Sequence, residues 1–235
     1  GLNPNTRGCH MKNLKAVMKK ALLEERHSNR VFEGYRCERN EVDNVYLTDE
    51  EVERLENLSL VGSKALVRDL FIIGCHTAMR YSDYTRLSHF NINGGMIRQT
   101  QQKTGNRVVI PAHPKVVEII NYYGGILPTI SQQKFNSIIK DVCRMANICD
   151  KVGVTEVTNE GKNTTYYEKW ELVSSHTARR TAATNMFKAG IPTLSIMKIT
   201  GHKTESSFML YIKVGKEENA ESLKDNPFFK KKGSH

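Results

Sequence analysis

The sequence predicts an α+β fold that is mostly helical and contains one small three-stranded antiparallel sheet. Apolar residues recur at helical spacing both before residue 90 and after residue 113. Between them, residues 90–111 change to alternating or β-rich runs, separated by turn signals at 93–95 and 104–106. The chain has 235 residues, of which 39% are hydrophobic, and this is enough for one large domain, or for one ordinary domain plus a fragment, with a substantial core.

The first predicted helix covers residues 12–26, where an apolar stripe lies opposite a strongly basic face. The stripe consists of Leu14, Val17, Met18, Ala21 and Leu22. Residues 27–44 are polar and irregular, which is typical of a linker. We expect the helix to be the last one of a preceding domain, and an isolated surface helix is the alternative.

A compact domain is predicted to begin near residue 45. Thr48 and Glu51 have the spacing of a capping box, which predicts that a helix starts at residue 49. The remaining predicted helices cover residues 64–75, 82–87, 114–123, 132–146, 176–189, 194–200 and 205–211. Residues 152–172 predict a second hairpin that turns at 159–162.

Composition and charge restrict the function. The formal net charge is +10 and the isoelectric point is near 9.4, which favours a polyanionic partner such as DNA or RNA. No apolar run is long enough for a membrane span, and the N-terminal residues lack the apolar core of a signal peptide. The five cysteines form no CxxC pair. We therefore expect a cytoplasmic protein without a disulfide framework or a thiolate zinc site.

Candidate chemical residues lie in three short stretches and one hairpin. Arg80 stands in TAMRYSD, His176 and Arg179 stand one helical turn apart in HTARRTAATN, and ITGHKTESSFMLYIKV contains His202 and Tyr211. Lys103 lies in the predicted turn at 102–105. Taken singly, each has an ordinary explanation: a solvated charge at a helix end or in a loop, a chance HxxR, or a tyrosine that only packs.

Together, these groups favour phosphoryl transfer without a metal. Two planar guanidinium groups bind phosphate oxygens in a bidentate manner, and they neutralise the charge that develops in the transition state. A tyrosine hydroxyl is a poor nucleophile at neutral pH, so it needs a base and nearby cations. His176 is the candidate base, His202 a phosphate donor and Lys103 the acid for the departing oxygen. No third ligand accompanies the two histidines at metal-binding spacing, so we expect neither a metal nor another cofactor.

The order of these residues resembles that of the tyrosine recombinases, the phage integrase family. The resemblance covers residues 45–214 and is strongest in HTARRTAATNMFKAGIPTLSIMKITGH and FMLYIKV, which look like integrases of conjugative transposons. The segment TAMRYSD and the triplet Thr200-Gly201-His202 depart from the commoner family pattern but keep the charged groups. The resemblance implies the tyrosine recombinase catalytic fold.

The resemblance also implies a role for each residue. Arg80 and Arg179 would form the phosphate clamp, Lys103 would be the hairpin general acid, and Tyr211 would be the nucleophile that forms a 3′-phosphotyrosyl bond. His176 would be the histidine of the HxxR motif, and His202 would fill a position that holds His or Trp. Asp83 would support the site without reacting. Arg180 is expected to face elsewhere on the helix. The sequence leaves open where Tyr211 lies in the absence of DNA.

The function implied by the resemblance is site-specific DNA recombination, for integration and excision of a mobile element. The implied partners are double-stranded DNA, three further copies in a synaptic homotetramer, and a host DNA-bending protein; without DNA we expect a monomer. Residues 1–44 would be the end of a truncated core-binding domain plus a linker, and residues 45–214 the catalytic domain. Residues 215–235 would form a tail that docks on a neighbouring protomer through Leu223 or the Phe228-Phe229 pair.

Three alternatives stay open from the sequence. A type IB topoisomerase would use the same chemistry to relax supercoils without exchanging strands. A DNA-binding protein that lacks catalysis would be unaffected by Tyr211→Phe. A metallohydrolase would be inhibited by EDTA.

Overall fold

Helices make up most of the part of the chain that the structure describes. The structure is a computed structural model, and it describes residues 4–37, 45–158, 161–209 and 211–212 together with single residues at 2, 220 and 224. The helices are α1 (Pro4–Leu23), α2 (Asp49–Glu56), α3 (Gly62–Thr77), α4 (Tyr81–Tyr84), α5 (Pro114–Tyr122), α6 (Gln132–Met145), α7 (Lys169–Leu172), α8 (Ser175–Lys188), α9 (Thr193–Thr200) and α10 (Glu205–Met209). The strands are β1 (Ile92–Asn93), β2 (Met96–Thr100), β3 (Arg107–Pro111), β4 (Lys151–Thr158) and β5 (Gly161–Glu168). The predicted α+β class is confirmed.

The chain divides into two compact units. Residues 1–43 and 153–166 form the first, and residues 44–152 and 167–235 form the second. In the first unit, the Lys15 ammonium donates hydrogen bonds of 2.9 and 2.8 Å to the carbonyl oxygens of Glu33 and Tyr35. These bonds tie the segment after α1 to the middle of that helix. The helix begins at Pro4, earlier than predicted, because the fixed φ of proline suits a first helical turn.

The second unit is built around α3. Most of this helix is buried, and it packs against α2, α5, α6 and α8. Gly74 permits a close approach to α8, since a Cβ atom there would stand 2.8 Å from the Ala178 Cβ of α8 and 2.9 Å from Tyr84. The predicted capping box is confirmed: the Thr48 amide donates to Glu51 over 2.7 Å, and the Glu51 amide donates to Thr48 over 3.3 Å. Glu51 also pairs with the buried Lys169 ammonium at 2.5 Å.

The predicted three-stranded antiparallel sheet is also confirmed, with the order β1-β2-β3. Ile97 of β2 lies opposite Ile110 of β3, and both are buried together with Val108. The opposite face of the ribbon is more exposed, as expected for strands that cover a core on one side. The connection between β2 and β3 is a tight turn at residues 101–106, closed by hydrogen bonds between the backbones of Gln101, Gly105 and Asn106.

A smaller apolar cluster joins the last three described helices of the second unit. Its buried members are Ala183, Ile196, Met197, Phe208 and Ile212, and they join α8, α9 and α10. The predicted helix over 205–211 ends at Met209, and the Tyr211 amide bonds back to the Phe208 carbonyl at 2.8 Å in a tighter turn. The predicted helix over 82–87 is the shorter α4 for the same reason, since the amides of residues 86 and 87 also bond three residues back.

Two predictions lie outside the described residues. The turn of the second hairpin includes residues 159 and 160, and the proposed tail anchors are Leu223, Phe228 and Phe229. The two strands of that hairpin, β4 and β5, do pair. Within the described residues, we find no helix with the length and apolar character needed to cross a membrane.

Candidate active site

The end of α3 places Arg80. The helix closes at Ala78, whose φ of 52° is left-handed and turns the chain sharply toward α4. Arg80 is half-buried immediately before α4, and its Nη1 donates to Gln101 Oε1 over 2.9 Å. A guanidinium has five N–H donors, so this bond leaves four for a ligand.

Gln101 connects Arg80 to the turn that carries Lys103. Its side chain is 1% exposed, and its Oε1 also accepts a 2.8 Å hydrogen bond from the Thr104 hydroxyl. Asp83 anchors the turn from α4, because its Oδ1 accepts the Gln102 amide at 2.9 Å. Asp83 is fully buried and holds this turn through that bond, and its supporting role in the site stays a prediction. Lys103 itself is exposed, as expected at a hairpin turn.

Arg179 is buried and held by two backbone carbonyls. Its Nη1 donates to Ala78 at the end of α3 over 2.9 Å, and its Nη2 donates to Thr200 at the end of α9. The residue is only 4% exposed, and burial lowers the pKa of its guanidinium. Three N–H groups stay free of these two bonds. Because Ala78 is two residues before Arg80, the ends of α3 and α9 bring both arginines to one place.

Tyr211 lies beside the arginines in this DNA-free structure. Its ring centroid is 6.0 Å from the Arg179 guanidinium carbon and 5.0 Å from the centroid of the His202 ring. Its hydroxyl oxygen is buried and lies near the Arg179 guanidinium. Burial raises the pKa of this phenol, and the positive charges of Arg179 and Arg180 act against that increase. The sequence left open where Tyr211 lies in the absence of DNA, and in this DNA-free structure it lies beside Arg179 and His202.

Arg180 corrects the sequence prediction, because it does not face away from the site. Its guanidinium carbon is 4.8 Å from the Tyr211 ring centroid, closer than that of Arg179, and its Nε donates to the Tyr211 carbonyl over 3.3 Å. The spacing argument failed because it considered only α8. The segment after α10 runs back along α8, so Tyr211 contacts Arg180 as well as Arg179. The sequence feature that could have indicated this contact is the pair of adjacent arginines, Arg179 and Arg180.

His202 follows the left-handed Gly201 that ends α9. Its Nδ1 is 2.8 Å from the Thr200 hydroxyl, which also lies 2.9 Å from the Ile196 carbonyl. Burial, followed by the charges of Arg179 and Arg80, lowers the pKa of His202 to about 4. The imidazole is therefore neutral at physiological pH. Thr200 was noted in the sequence only as a departure from the family pattern, and here it contacts the ring.

His176 stands in the first turn of α8 and is more exposed than the arginines. Its pKa is lowered, first by the loss of water around part of the ring and then by nearby cations. These cations are Arg179, Arg180, Arg80 and Lys103. A histidine that stays neutral in such a field is able to accept a proton near pH 7.

A basic groove extends from the site. It has a volume of about 620 Å³ and runs beside His202 between β3 and α9. Its cationic lining residues are Arg107, Lys198 and Lys203. No group of three or more His, Cys, Asp or Glu side chains suited to a metal ion occurs among the residues that the structure describes.

The order of chemical groups and their convergence agree with a comparison to known families. The sequence pattern of the phage integrase family matches residues 45–218. This chain belongs to the phage integrase family. Among curated proteins, none matches the chain.

Solved structures show the same fold for this member of the phage integrase family. A lambda integrase (75-356) dimer bound to a COC' core site has a TM-score of 0.63 and 16% identity over 86% of this chain and 70% of that chain. The XerH site-specific recombinase bound to palindromic difH substrate has a TM-score of 0.58 and 13% identity over 81% of this chain, and the match spans 55% of the XerH chain. XerA recombinase has a TM-score of 0.56 and 15% identity over 89% of this chain and 72% of that chain.

Proposed function

We propose that this chain is the catalytic part of a site-specific DNA recombinase that cuts and rejoins strands through a 3′-phosphotyrosyl intermediate. The observation that carries the proposal is the position of Tyr211 beside Arg179, at the point where the ends of α3 and α9 meet. Membership of the phage integrase family and the structures of DNA-bound lambda integrase and XerH support it.

In the cleavage step, the Tyr211 oxygen attacks a backbone phosphorus and the bond from phosphorus to the 5′ oxygen breaks. The free N–H groups of Arg80 and Arg179 bind the two non-bridging oxygens and stabilise their charge in the transition state. His176 accepts the phenol proton, and Lys103 protonates the 5′ oxygen as it leaves. The phosphotyrosyl bond preserves the phosphodiester, so a 5′ hydroxyl of a partner strand reverses the step without ATP.

His202 contributes a hydrogen bond to the phosphate only in one tautomer. Because the ring is neutral at pH 7, Nε2 carries the proton only if Nδ1 does not. Nδ1 then has to accept a hydrogen bond, and the Thr200 hydroxyl at 2.8 Å is placed to donate it. In this arrangement the Thr200 proton points to His202 and not to the Ile196 carbonyl.

The biological setting forms the outer part of the proposal. We assign the reaction to integration and excision of a mobile element, carried out by a homotetramer on two duplexes with a host DNA-bending protein. The structures of a lambda integrase dimer bound to a COC' core site and of a lambda integrase tetramer bound to a Holliday junction support a multimer. We also propose residues 1–44, 45–214 and 215–235 as a domain end with linker, a catalytic domain and a tail. Cytoplasmic localisation accords with the five free cysteines.

The test is covalent capture on DNA. A pool of short duplexes with a randomised centre and one nick is incubated with the protein, so that the cleaved fragment dissociates and the adduct accumulates. We expect a protein–DNA adduct on a denaturing gel, formed equally well in EDTA, and sequencing of the captured DNA gives the preferred site. Tyr211→Phe should bind the captured sequence but form no adduct.

The outcomes separate the alternatives. Adduct formation by Tyr211→Phe, or none by the wild-type chain on any duplex of the pool, would contradict the proposal. Two marked duplexes carrying the captured site should exchange strands. Relaxation of a supercoiled plasmid without exchange would instead indicate a topoisomerase, and loss of cleavage in EDTA would indicate a metallohydrolase.

A further inference from the structure

Arg180 is a buried cation with an unusual set of neighbours. It is 8% exposed, and burial lowers the pKa of its guanidinium. Within the described residues, no carboxylate forms an ion pair with it. Burying a charge without a counter-ion is costly, so a residue of this kind points to a function at the site.

Among the described residues, the hydrogen bond and the ring contact that Arg180 makes both go to Tyr211. Its Nε donates to the Tyr211 carbonyl over 3.3 Å, and its guanidinium carbon lies 4.8 Å from the Tyr211 ring centroid. A cation over an aromatic ring and a hydrogen bond to the backbone of the same residue fix both the main chain and the ring. Tyr211 lies beyond the end of α10, where its amide bonds back to the Phe208 carbonyl, and Arg180 adds contacts to its carbonyl oxygen and its ring.

Resting on the proposed function, we infer that Arg180 is a positioning residue that holds the Tyr211 nucleophile beside Arg179 before DNA binds. The Arg180 side chain contacts Tyr211 from α8, at the position that directly follows Arg179.

The charge of Arg180 also has a chemical effect. Ionised or polar groups face Tyr211 from three places: Arg179 and Arg180 on α8, His202 after α9, and Arg80 after α3. Removing the Arg180 charge takes away one of the cations that favour the phenolate, so the pKa of Tyr211 increases further. A variant that only loosened the fold would not shift this pKa selectively.

The experiment uses DNA-free protein labelled with 3-fluorotyrosine and observed by fluorine NMR. Tyr211→Phe identifies the Tyr211 signal. We expect Arg180→Gln to raise the pH midpoint of that signal by about one unit and to move its chemical shift. Arg180→Lys keeps the positive charge, so its midpoint should stay close to that of the wild type. Arg144→Gln is the matched control, because Arg144 also lies over a ring, that of Trp170 at 5.5 Å, but outside the site.

A second measurement needs no variant at position 180. The Nε proton of Arg180 should exchange with water more slowly than that of Arg144, because it is bonded to the Tyr211 carbonyl. The inference is overturned if Arg180→Gln leaves the Tyr211 signal unchanged, or if the two Nε protons exchange at the same rate. Neither measurement involves DNA, so failure of the proposed recombinase activity would show separately as absence of the covalent adduct.

Discussion

At the scale of single residues, the site depends on what holds each cation. Arg179 donates to two carbonyls from different helix ends, and its planar fork fits both at once. Lysine has the same charge, but its three donors leave a single nitrogen, so it lacks the planar fork that spans both carbonyls and presents paired N–H groups to a phosphate. Geometry, and not charge alone, is therefore the property that the site requires.

We expect Arg179→Lys to lower the rate of covalent adduct formation by at least about 10²-fold, the cost of losing a preorganised transition-state donor. The rate is measured on a duplex that the wild-type chain captures. Arg54→Lys is the control, since Arg54 also donates to a backbone carbonyl, that of Asn147 at 2.9 Å, but away from the site. A rate near the wild-type value for Arg179→Lys would refute the clamp assignment.

His202 should make stability depend on pH. Its pKa is about 4 in the folded chain and about 6.5 when unfolded, so the unfolded chain binds more protons between these values. The free energy of unfolding should therefore decrease as the pH falls from about 6.5 towards 4. In urea unfolding, the free energy of unfolding of His202→Gln should decrease less than that of the wild type between about pH 7 and pH 5. An unchanged slope in His202→Gln would contradict the assignment.

At the scale of elements, helix ends build the site. The left-handed residues Ala78 and Gly201 end α3 and α9. Ala78 directs its own carbonyl oxygen to Arg179, and the turn at Gly201 brings His202 near Arg179. Gly201 also packs against Gln101, where a Cβ atom would stand 3.0 Å from Oε1. Because Gln101 holds both Arg80 and Thr104, this contact couples the end of α9 to the Lys103 turn.

Gly201→Ala tests this coupling against Gly190→Ala. Both glycines have left-handed φ values, 70° and 77°, so each substitution should lower the free energy of unfolding by about 1 kcal/mol. A Cβ atom at Gly190 has no neighbour within 4 Å, whereas one at Gly201 presses on Gln101. Only Gly201→Ala should therefore slow adduct formation beyond its effect on stability. Equal rates in the two variants would show that Gln101 does not connect these parts.

At the scale of the whole molecule, charge determines how the chain meets a polyanion. The net charge of +10 agrees with a DNA partner, and the groove beside His202 is lined by three cationic residues. Contacts of this kind release counterions from DNA, so affinity depends steeply on salt. They position the backbone and carry little sequence information.

We expect the affinity for the captured duplex to decrease at least about tenfold between about 50 and 200 mM salt. Lys198→Gln should reduce the slope of log K against log salt by about 1, because it removes one phosphate contact. Lys64→Gln, at an exposed position of α3, should leave the slope unchanged. Fluorescence anisotropy measures both, and equal slopes for wild type and Lys198→Gln would place the DNA elsewhere.

Much of the fold follows from local pattern. The capping box at Thr48, the meander over 92–111 and most helices are set by residues near each other in the chain, so periodicity and turn residues predict them. The limits of α4 and α10 were less predictable, because tight turns replace the last helical hydrogen bonds there. The roles given to Arg80, Lys103, His176, Arg179, His202 and Tyr211 stay predictions until the variants are measured.

The sequence by itself determined the α+β class, the family and the chemical groups available, because these depend on residue types and on their order. Only the tertiary structure decided that Tyr211 lies beside Arg179 without DNA and that Arg180 contacts its ring. It also decided that Gln101 bonds to Arg80 and that Thr200 bonds to His202. Each of these contacts joins residues from different elements. They depend on how the ends of different helices pack against each other, and residue spacing within one helix does not predict that packing.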